Sequence, residues 1–152
     1  MHIEDEAAMR CLGKAIGQVL SGGEVVELVG DIGAGKTTLT KGIGEGLGIT
    51  EPIQSPTFTI SRTYDSPRHL RLFHYDFYRL HEAGIMSQEL EETMTDARSA
   101  VVIEWADTVG AVLPEDRLTI AIDVTGVYER IVSVTAGGTH SAAVWQKVIR
   151  EL

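Results

Sequence analysis

The chain has 152 residues, 43% of them hydrophobic, which is the size of one ordinary domain with a single core. Its 22 acidic and 13 basic residues give a net charge of -9, which argues against a protein that coats nucleic acid by bulk electrostatics. No apolar run approaches the ~20 residues of a membrane span, the N-terminus is acidic rather than signal-like, and the single cysteine excludes an internal disulfide. We therefore expect one domain over residues 1–152, in the cytoplasm and without membrane contact.

The first elements of the chain alternate between helix and strand. A first helix, ending near Ser21, is predicted by apolar residues at helical spacing, namely Met9, Leu12, Ile16, Val19 and Leu20. The β-branched, nearly continuous apolar run 25–29 is typical of a buried parallel strand. A second helix is predicted by Leu39, Ile43 and Leu47. Three glycines weaken this helix by about 1 kcal/mol each relative to alanine, so it must depend on tertiary packing.

The second half of the chain has a strand-rich pattern. Residues 57–64 and 69–75 read as strands separated by turn formers, which predicts a β-hairpin. Residues 100–103 form another buried run, and 118–124 and 131–134 predict two further strands before a final helix that carries Trp145. Strands interleaved with helices predict an α/β domain whose central, partly parallel sheet is flanked by helices.

A phosphate-binding loop lies between the first predicted strand and the second helix. Residues 30–37 match G-x-x-x-x-G-K-[ST]. Glycines permit the positive φ that turns successive N–H groups toward phosphate oxygens, and the helix N-terminus adds further unpaired donors. Lys36 is expected to bridge the β and γ phosphates, and Thr37 to coordinate Mg²⁺. The P-loop NTPase fold is thus predicted, with a nucleotide contacted by Gly30, Asp31, Gly33, Ala34, Gly35, Lys36, Thr37 and Thr38.

Two acidic residues end predicted strands. Glu104 stands where a Walker B carboxylate would, so we expect it to bind the magnesium ion. Asp76 is the other candidate for the metal shell or for orienting the attacking water, and a turn or cap role for it remains open. The chain contains no asparagine, so the Asn-Lys-x-Asp element with which many GTPases read guanine is excluded. ATP is favoured by elimination.

Four blocks, in order and in spacing, resemble the TsaE family of small bacterial P-loop ATPases of tRNA threonylcarbamoyladenosine biosynthesis. They are the loop 30–38, Ser-Pro-Thr-Phe-Thr at 55–59, His-Tyr-Asp-Phe-Tyr-Arg-Leu at 74–80 and Ile-Glu-Trp at 103–105. The likeness runs from about Leu12 to Val134. Met9 departs from it, since the family usually has threonine there, and this puts a hydroxyl contact to the nucleotide in doubt.

The resemblance implies roles for individual residues. Thr37 and Glu104 would be magnesium ligands, and Asp76 would be needed for hydrolysis. Ser55 and Thr57 would belong to a switch-like loop near the γ-phosphate. Trp105 would lie beside the nucleotide or the partner surface, with a core position as the alternative. Arg130 would contact nucleotide or partner, with a solvated strand position as the alternative.

The resemblance also implies partners. Family members act with the TsaB and TsaD proteins, which place threonylcarbamoyl on an adenosine next to the anticodon. The TsaE-like member supplies ATP hydrolysis that resets the complex, and it would meet tRNA only through that complex. A local basic cluster, either a solvated hairpin face or a docking site for an acidic partner or tRNA, is formed by Arg62, Arg68, His69, Arg71, His74 and Arg79.

Two other functions stay open at this point. A small-molecule kinase of the P-loop class needs an acceptor site and usually a mobile lid with arginines, and the sequence shows no arginine pair in such an insertion. A nucleotide-gated binding module without turnover is the second alternative.

Overall fold

The computed structural model describes all 152 residues. Its strands are β1 (His2–Ile3), β2 (Glu24–Val29), β3 (Ser61–Asp65), β4 (Arg71–Asp76), β5 (Ser99–Glu104), β6 (Leu118–Val124) and β7 (Arg130–Ala136). Its helices are α1 (Glu6–Val19), α2 (Lys36–Gly46), α3 (Gly84–Thr95) and α4 (Thr139–Glu151), with a 3₁₀ helix over Ala106–Val112. No helix has the length and apolar character that a membrane crossing requires.

The strands form one sheet in the order β1-β7-β6-β2-β5-β4-β3. The four central strands, β6, β2, β5 and β4, run parallel, and the remaining pairings are antiparallel. The predicted α/β class, the partly parallel sheet and the β3–β4 hairpin are thus confirmed. Glu104 at the end of β5 pairs in register with Leu28 of β2 and with Asp76 of β4. The phosphate-loop end of β2 and both acidic residues therefore reach one edge of the sheet.

Helices α1 and α2 pack backbone against backbone. Gly13 and Gly17 of α1 meet Gly42 and Gly46 of α2. A Cβ atom added at Gly42 would lie 2.9 Å from the Gly13 Cα and closer still to the carbonyl oxygen of Arg10. Two of the three glycines that lower the intrinsic stability of α2 are therefore the residues that let it approach α1, and this contact supplies the tertiary packing that the sequence indicated.

One local prediction needed correction, and the elements α3 and β1 were not predicted. The strand predicted over 57–64 begins only at Ser61, because the N–H groups of Thr59 and Ile60 both bond to the Pro56 carbonyl and form a turn. Ile60 then adopts a φ of 68°, which is incompatible with an extended strand. Helix α3 was not predicted. Its only buried residue is Leu90, so the sequence carries little helical periodicity there. Strand β1 is too short to show a period.

The predicted basic cluster does not form one surface. The guanidinium of Arg68 donates to carbonyl oxygens in the last turn of α1 and just beyond it, those of Gly17, Gln18 and Leu20. Arg71 pairs with Asp65, and His74 is completely buried. Including His74 in this group was wrong because it is buried, and Arg68 and Arg71 bond to separate parts of the protein. Arg62 and His69 are exposed, as the solvated-face alternative predicts. Charge reversal at Arg68 would remove these hydrogen bonds and so damage the end of α1.

We expect Gly42→Ala to lower the free energy of unfolding by about 1–3 kcal/mol, the usual cost of overpacking. The added methyl group would meet the backbone of α1, and this outweighs the better helix propensity of alanine. Urea unfolding followed by circular dichroism measures the change. The control is Gly110→Ala, where an added Cβ has nothing within 4 Å. Equal stability of the two variants would contradict the packing argument.

Candidate functional site

The loop between β2 and α2 turns at glycines. Gly33 has a φ of 79° and Gly35 a φ of 114°, which is the left-handed region that only glycine adopts without strain. At Gly30, with a φ of 156°, an added Cβ would lie 2.7 Å from the carbonyl oxygen of Ile122. The prediction that these three positions need glycine is confirmed.

The loop and the first turn of α2 present backbone donors without acceptors. Within this segment, the N–H groups that make no hydrogen bond to another protein atom include those of Gly33, Gly35, Lys36, Thr37 and Thr38. The Ala34 N–H is used inside the loop, by the Asp31 carbonyl at 3.1 Å. Helix α2 adds the positive end of its dipole. Clustered free donors of this kind form an anion-binding site.

Lys36 lies over this loop. Its Nζ donates to the carbonyl oxygens of Gly30 at 2.7 Å and Asp31 at 2.9 Å, and it is 4.7 Å from the centroid of the Trp105 ring. Burial lowers the pKa of Lys36, while the carboxylates of Glu104, Asp76 and Asp31 act in the opposite direction and favour the ammonium form. The side chain is a partly desolvated cation held beside the free amides.

A cavity of about 330 Å³ opens above the loop. The predicted site residues that line it are Gly33, Gly35, Lys36, Thr37, Thr38, Ser55, Thr57, Asp76, Glu104 and Trp105. Four predicted residues, Gly30, Asp31, Ala34 and Arg130, lie outside its lining. The structure therefore brings the loop, the switch-like segment and both carboxylates to one place.

Asp76 uses both of its carboxylate oxygens within the protein. Oδ2 accepts a hydrogen bond from the Thr57 hydroxyl at 2.7 Å, and Oδ1 accepts one from the Tyr78 N–H at 2.9 Å. The Ser55 hydroxyl lies 2.7 Å from that of Thr57. The switch-like segment is thus tied to the end of β4 through a chain of short hydrogen bonds.

Glu104 has a different arrangement. Its Oε1 is 2.8 Å from Nε2 of the buried His74, and its Oε2 makes no hydrogen bond in the protein. Nowhere do three His, Cys, Asp or Glu side chains gather as a metal cage. One hydroxyl and a free carboxylate oxygen beside an anion site are nevertheless a set that fits Mg²⁺, which prefers few protein ligands together with water and phosphate oxygens.

Arg130 braces the loop. Its Nε donates to the carbonyl of Ala34 at 2.9 Å, and its terminal nitrogens donate to those of Gly33, Gly126 and Glu129. The sequence left a choice between a ligand or partner contact and a solvated strand position. The structure instead shows an arginine that joins the β6–β7 turn to the carbonyl side of the phosphate loop.

A second cavity, of about 220 Å³, lies on the other side of the loop. Met9, Tyr128 and Arg130 contribute to its walls, and Met9 is itself almost fully buried. It shares three residues with the first cavity, Gly33, Gly35 and Thr38. One elongated ligand could therefore reach both cavities across the loop.

The family model described as threonylcarbamoyl adenosine biosynthesis protein TsaE matches residues 3–132. The chain belongs to the TsaE family. The tRNA threonylcarbamoyladenosine biosynthesis protein TsaE of Streptomyces coelicolor is 41% identical over 119 residues, which cover 76% of this chain and 78% of that relative. The protein of the same name in Bacillus subtilis is 40% identical over 132 residues, covering 84% and 79%.

A solved structure agrees with this assignment. The crystal structure of YdiB from Bacillus subtilis matches with a TM-score of 0.81 and 32% identity, over 99% of this chain and 93% of that one. The P-loop fold class and the resemblance predicted from the four sequence blocks are confirmed.

The sequence missed three residues of this TsaE-family site. Ile32 and Tyr78 line the first cavity, and the ring of Tyr78 lies 4.9 Å from that of Trp105. His74 was assigned to the basic cluster, yet it sits against Glu104. Its position two residues before Asp76 placed both side chains on one face of β4, which was the available indication.

We expect Arg130→Ala to lower the free energy of unfolding by about 1–2 kcal/mol, because it removes charge-assisted hydrogen bonds to four carbonyl oxygens. Urea denaturation measures the loss. Arg62→Ala, at an exposed arginine of β3, is the control and should change stability by less than ~0.5 kcal/mol. A loss no larger than that of the control would mean that Arg130 does not brace the loop.

Proposed function

We propose that this protein binds ATP with Mg²⁺ and hydrolyses it in the cytoplasm, as the ATPase component of tRNA threonylcarbamoyladenosine biosynthesis acting with TsaB and TsaD. The proposal depends mainly on the free N–H groups of the phosphate loop, which belong to residues that line the same cavity as Glu104 and the side chain of Lys36. The names of the relatives support the pathway. The geometry of the loop and its cavity supports the binding of a nucleotide.

The two cavities support a placement for ATP. The triphosphate occupies the first cavity against the free amides, and the nucleoside extends past Thr38 into the second. There Met9 offers an apolar thioether where a hydroxyl would form a hydrogen bond, so packing rather than polar recognition holds the nucleoside at this wall. On ATP binding, Lys36 exchanges the carbonyl oxygens of Gly30 and Asp31 for phosphate oxygens.

The magnesium ion would be held by the Thr37 hydroxyl and the free Oε2 of Glu104, and when bound it neutralises charge on the β and γ phosphates. Asp76 has a separate role. Its carboxylate holds Thr57 at the cavity wall and retains lone pairs that can orient a water molecule for attack. Trp105 and Tyr78 form an aromatic wall that limits access of further water.

The rival functions receive less support. Lys36 is the only cationic side chain that lines the first cavity, and α3 contains no arginine or lysine. Arg79, the arginine closest in sequence to the site, lies over the Phe58 ring, 4.4 Å from its centroid. The structure thus offers no arginine lid of the kind that clamps a transferred phosphoryl group in small-molecule kinases.

Lys36→Ala should weaken ATP binding about 10- to 100-fold, because the loop loses a charge-assisted contact worth roughly 1.5–3 kcal/mol. Calorimetric titration of ATP in the presence of Mg²⁺ measures the affinity. Lys41→Ala removes a positive charge from the same helix outside both loop cavities and should leave the affinity within about twofold. Similar affinities for the two variants would argue against the phosphate assignment.

Measuring phosphate release from ATP distinguishes the ATPase from the small-molecule kinase and from the nucleotide-gated binding module. We expect slow phosphate release from ATP by the protein alone, a marked change on adding TsaB and TsaD, and loss of magnesium-dependent release in Glu104→Gln. Phosphoryl transfer to a metabolite would favour the kinase. ATP binding without any release, with or without partners, would favour the nucleotide-gated binding module.

A further inference from the structure

The buried ring of His74 is the one titratable group beside the site that the proposed function leaves unused. The side chain has no solvent exposure, and Glu104 is 3% exposed. Nε2 of His74 and Oε1 of Glu104 are 2.8 Å apart. An ionised carboxylate has no proton to donate, so Nε2–H is the donor in this bond.

The environment of the other ring nitrogen explains why the proton of His74 stays on Nε2. Nδ1 of His74 has no hydrogen-bond partner and is the only buried side-chain nitrogen or oxygen in this condition. A bare lone pair is less costly to bury than an unpaired N–H group, so the buried ring keeps its proton on Nε2. Strand β4 places this donor two residues before Asp76, on the same face and beside β5.

Asp76 and Glu104, the two carboxylates of the cavity, differ in how many of their oxygens accept hydrogen bonds from the protein. Both oxygens of Asp76 accept hydrogen bonds from the protein. Only one oxygen of Glu104 does so, and the residue lines the cavity beside Thr37. A carboxylate anchored through Oε1 presents Oε2 as a single, oriented ligand, which suits the strict geometry that Mg²⁺ requires.

We infer that His74 is a positioning residue for magnesium: it holds Glu104 through Oε1 so that Oε2 can bind the metal of the ATP complex. This inference rests on the proposed function. His74 would determine how tightly the site binds Mg²⁺. The affinity for ATP without metal would instead depend on the free amides of the loop and on Lys36.

The test compares His74→Phe, which keeps the ring shape without a donor, with His74→Gln, whose amide nitrogen can reach the position of Nε2. Calorimetry gives ATP affinity in EDTA and across a Mg²⁺ titration. We expect His74→Phe to raise the Mg²⁺ concentration for half-maximal effect about 10- to 100-fold, as loss of such outer contacts does. ATP affinity in EDTA should stay within about twofold, and His74→Gln should restore most of the Mg²⁺ dependence.

A double variant asks whether His74 acts through Glu104. Adding His74→Phe to Glu104→Gln should cause no further change in Mg²⁺ dependence, whereas a general packing role would weaken both backgrounds equally. Tyr75→Phe is the matched control, since it removes a neighbouring hydroxyl of β4 that bonds to Thr93 on the other side of the sheet. It should behave as wild type.

Two outcomes would overturn the inference: an unchanged Mg²⁺ dependence in His74→Phe, or an equal loss of ATP affinity with and without metal. Should His74→Phe not fold, His74→Asn replaces it, since its shorter amide cannot reach the Nε2 position, and equal Mg²⁺ dependence in the Asn and Gln variants overturns the inference as well. Absence of any ATP binding by the wild-type protein would instead reject the proposed function, so the two failures are distinguishable.

Discussion

Everything at the site depends on a constraint of the backbone: where α2 begins, the N–H groups of Gly33, Gly35 and the first three residues of the helix have no partner in the protein. An array of free donors is costly unless water or an anion satisfies it. The protein holds this arrangement open by rigid packing around it. The glycine contact between α1 and α2 fixes the helix from behind, and Arg130 binds the carbonyl side of the loop.

The sheet supplies the second half of the site through register. Because β5 lies between β2 and β4 and all three run parallel, Glu104 and Asp76 end at the same edge as the phosphate loop. The two carboxylates differ in their hydrogen-bond partners. Thr57 and the Tyr78 N–H occupy Asp76, while His74 occupies one oxygen of Glu104 and leaves the other for a ligand. Two carboxylates on adjacent strands therefore differ in chemistry.

Much of the fold and of the candidate site could be predicted from the sequence. The loop motif, the buried strands and the acidic strand ends are local patterns, so the sequence located the fold class, the hairpin and most residues of the cavity. Helix α3 was missed because one buried leucine provides almost no periodicity. The turn over residues 57–60 was predicted as strand because β-branched and aromatic residues favour strands, and here hydrogen bonds to the Pro56 carbonyl override that preference.

The sequence by itself located the loop with the free N–H groups, since three glycines, a lysine and a helix start are encoded within eight consecutive residues. Only the tertiary structure decided the partners of long side chains. Arg68 and His74 lie six residues apart and looked equivalent, yet one caps α1 and the other is buried against Glu104. The physical reason is that a side chain's role depends on the electrostatics and burial created by strands and helices distant in the chain, which no local pattern contains.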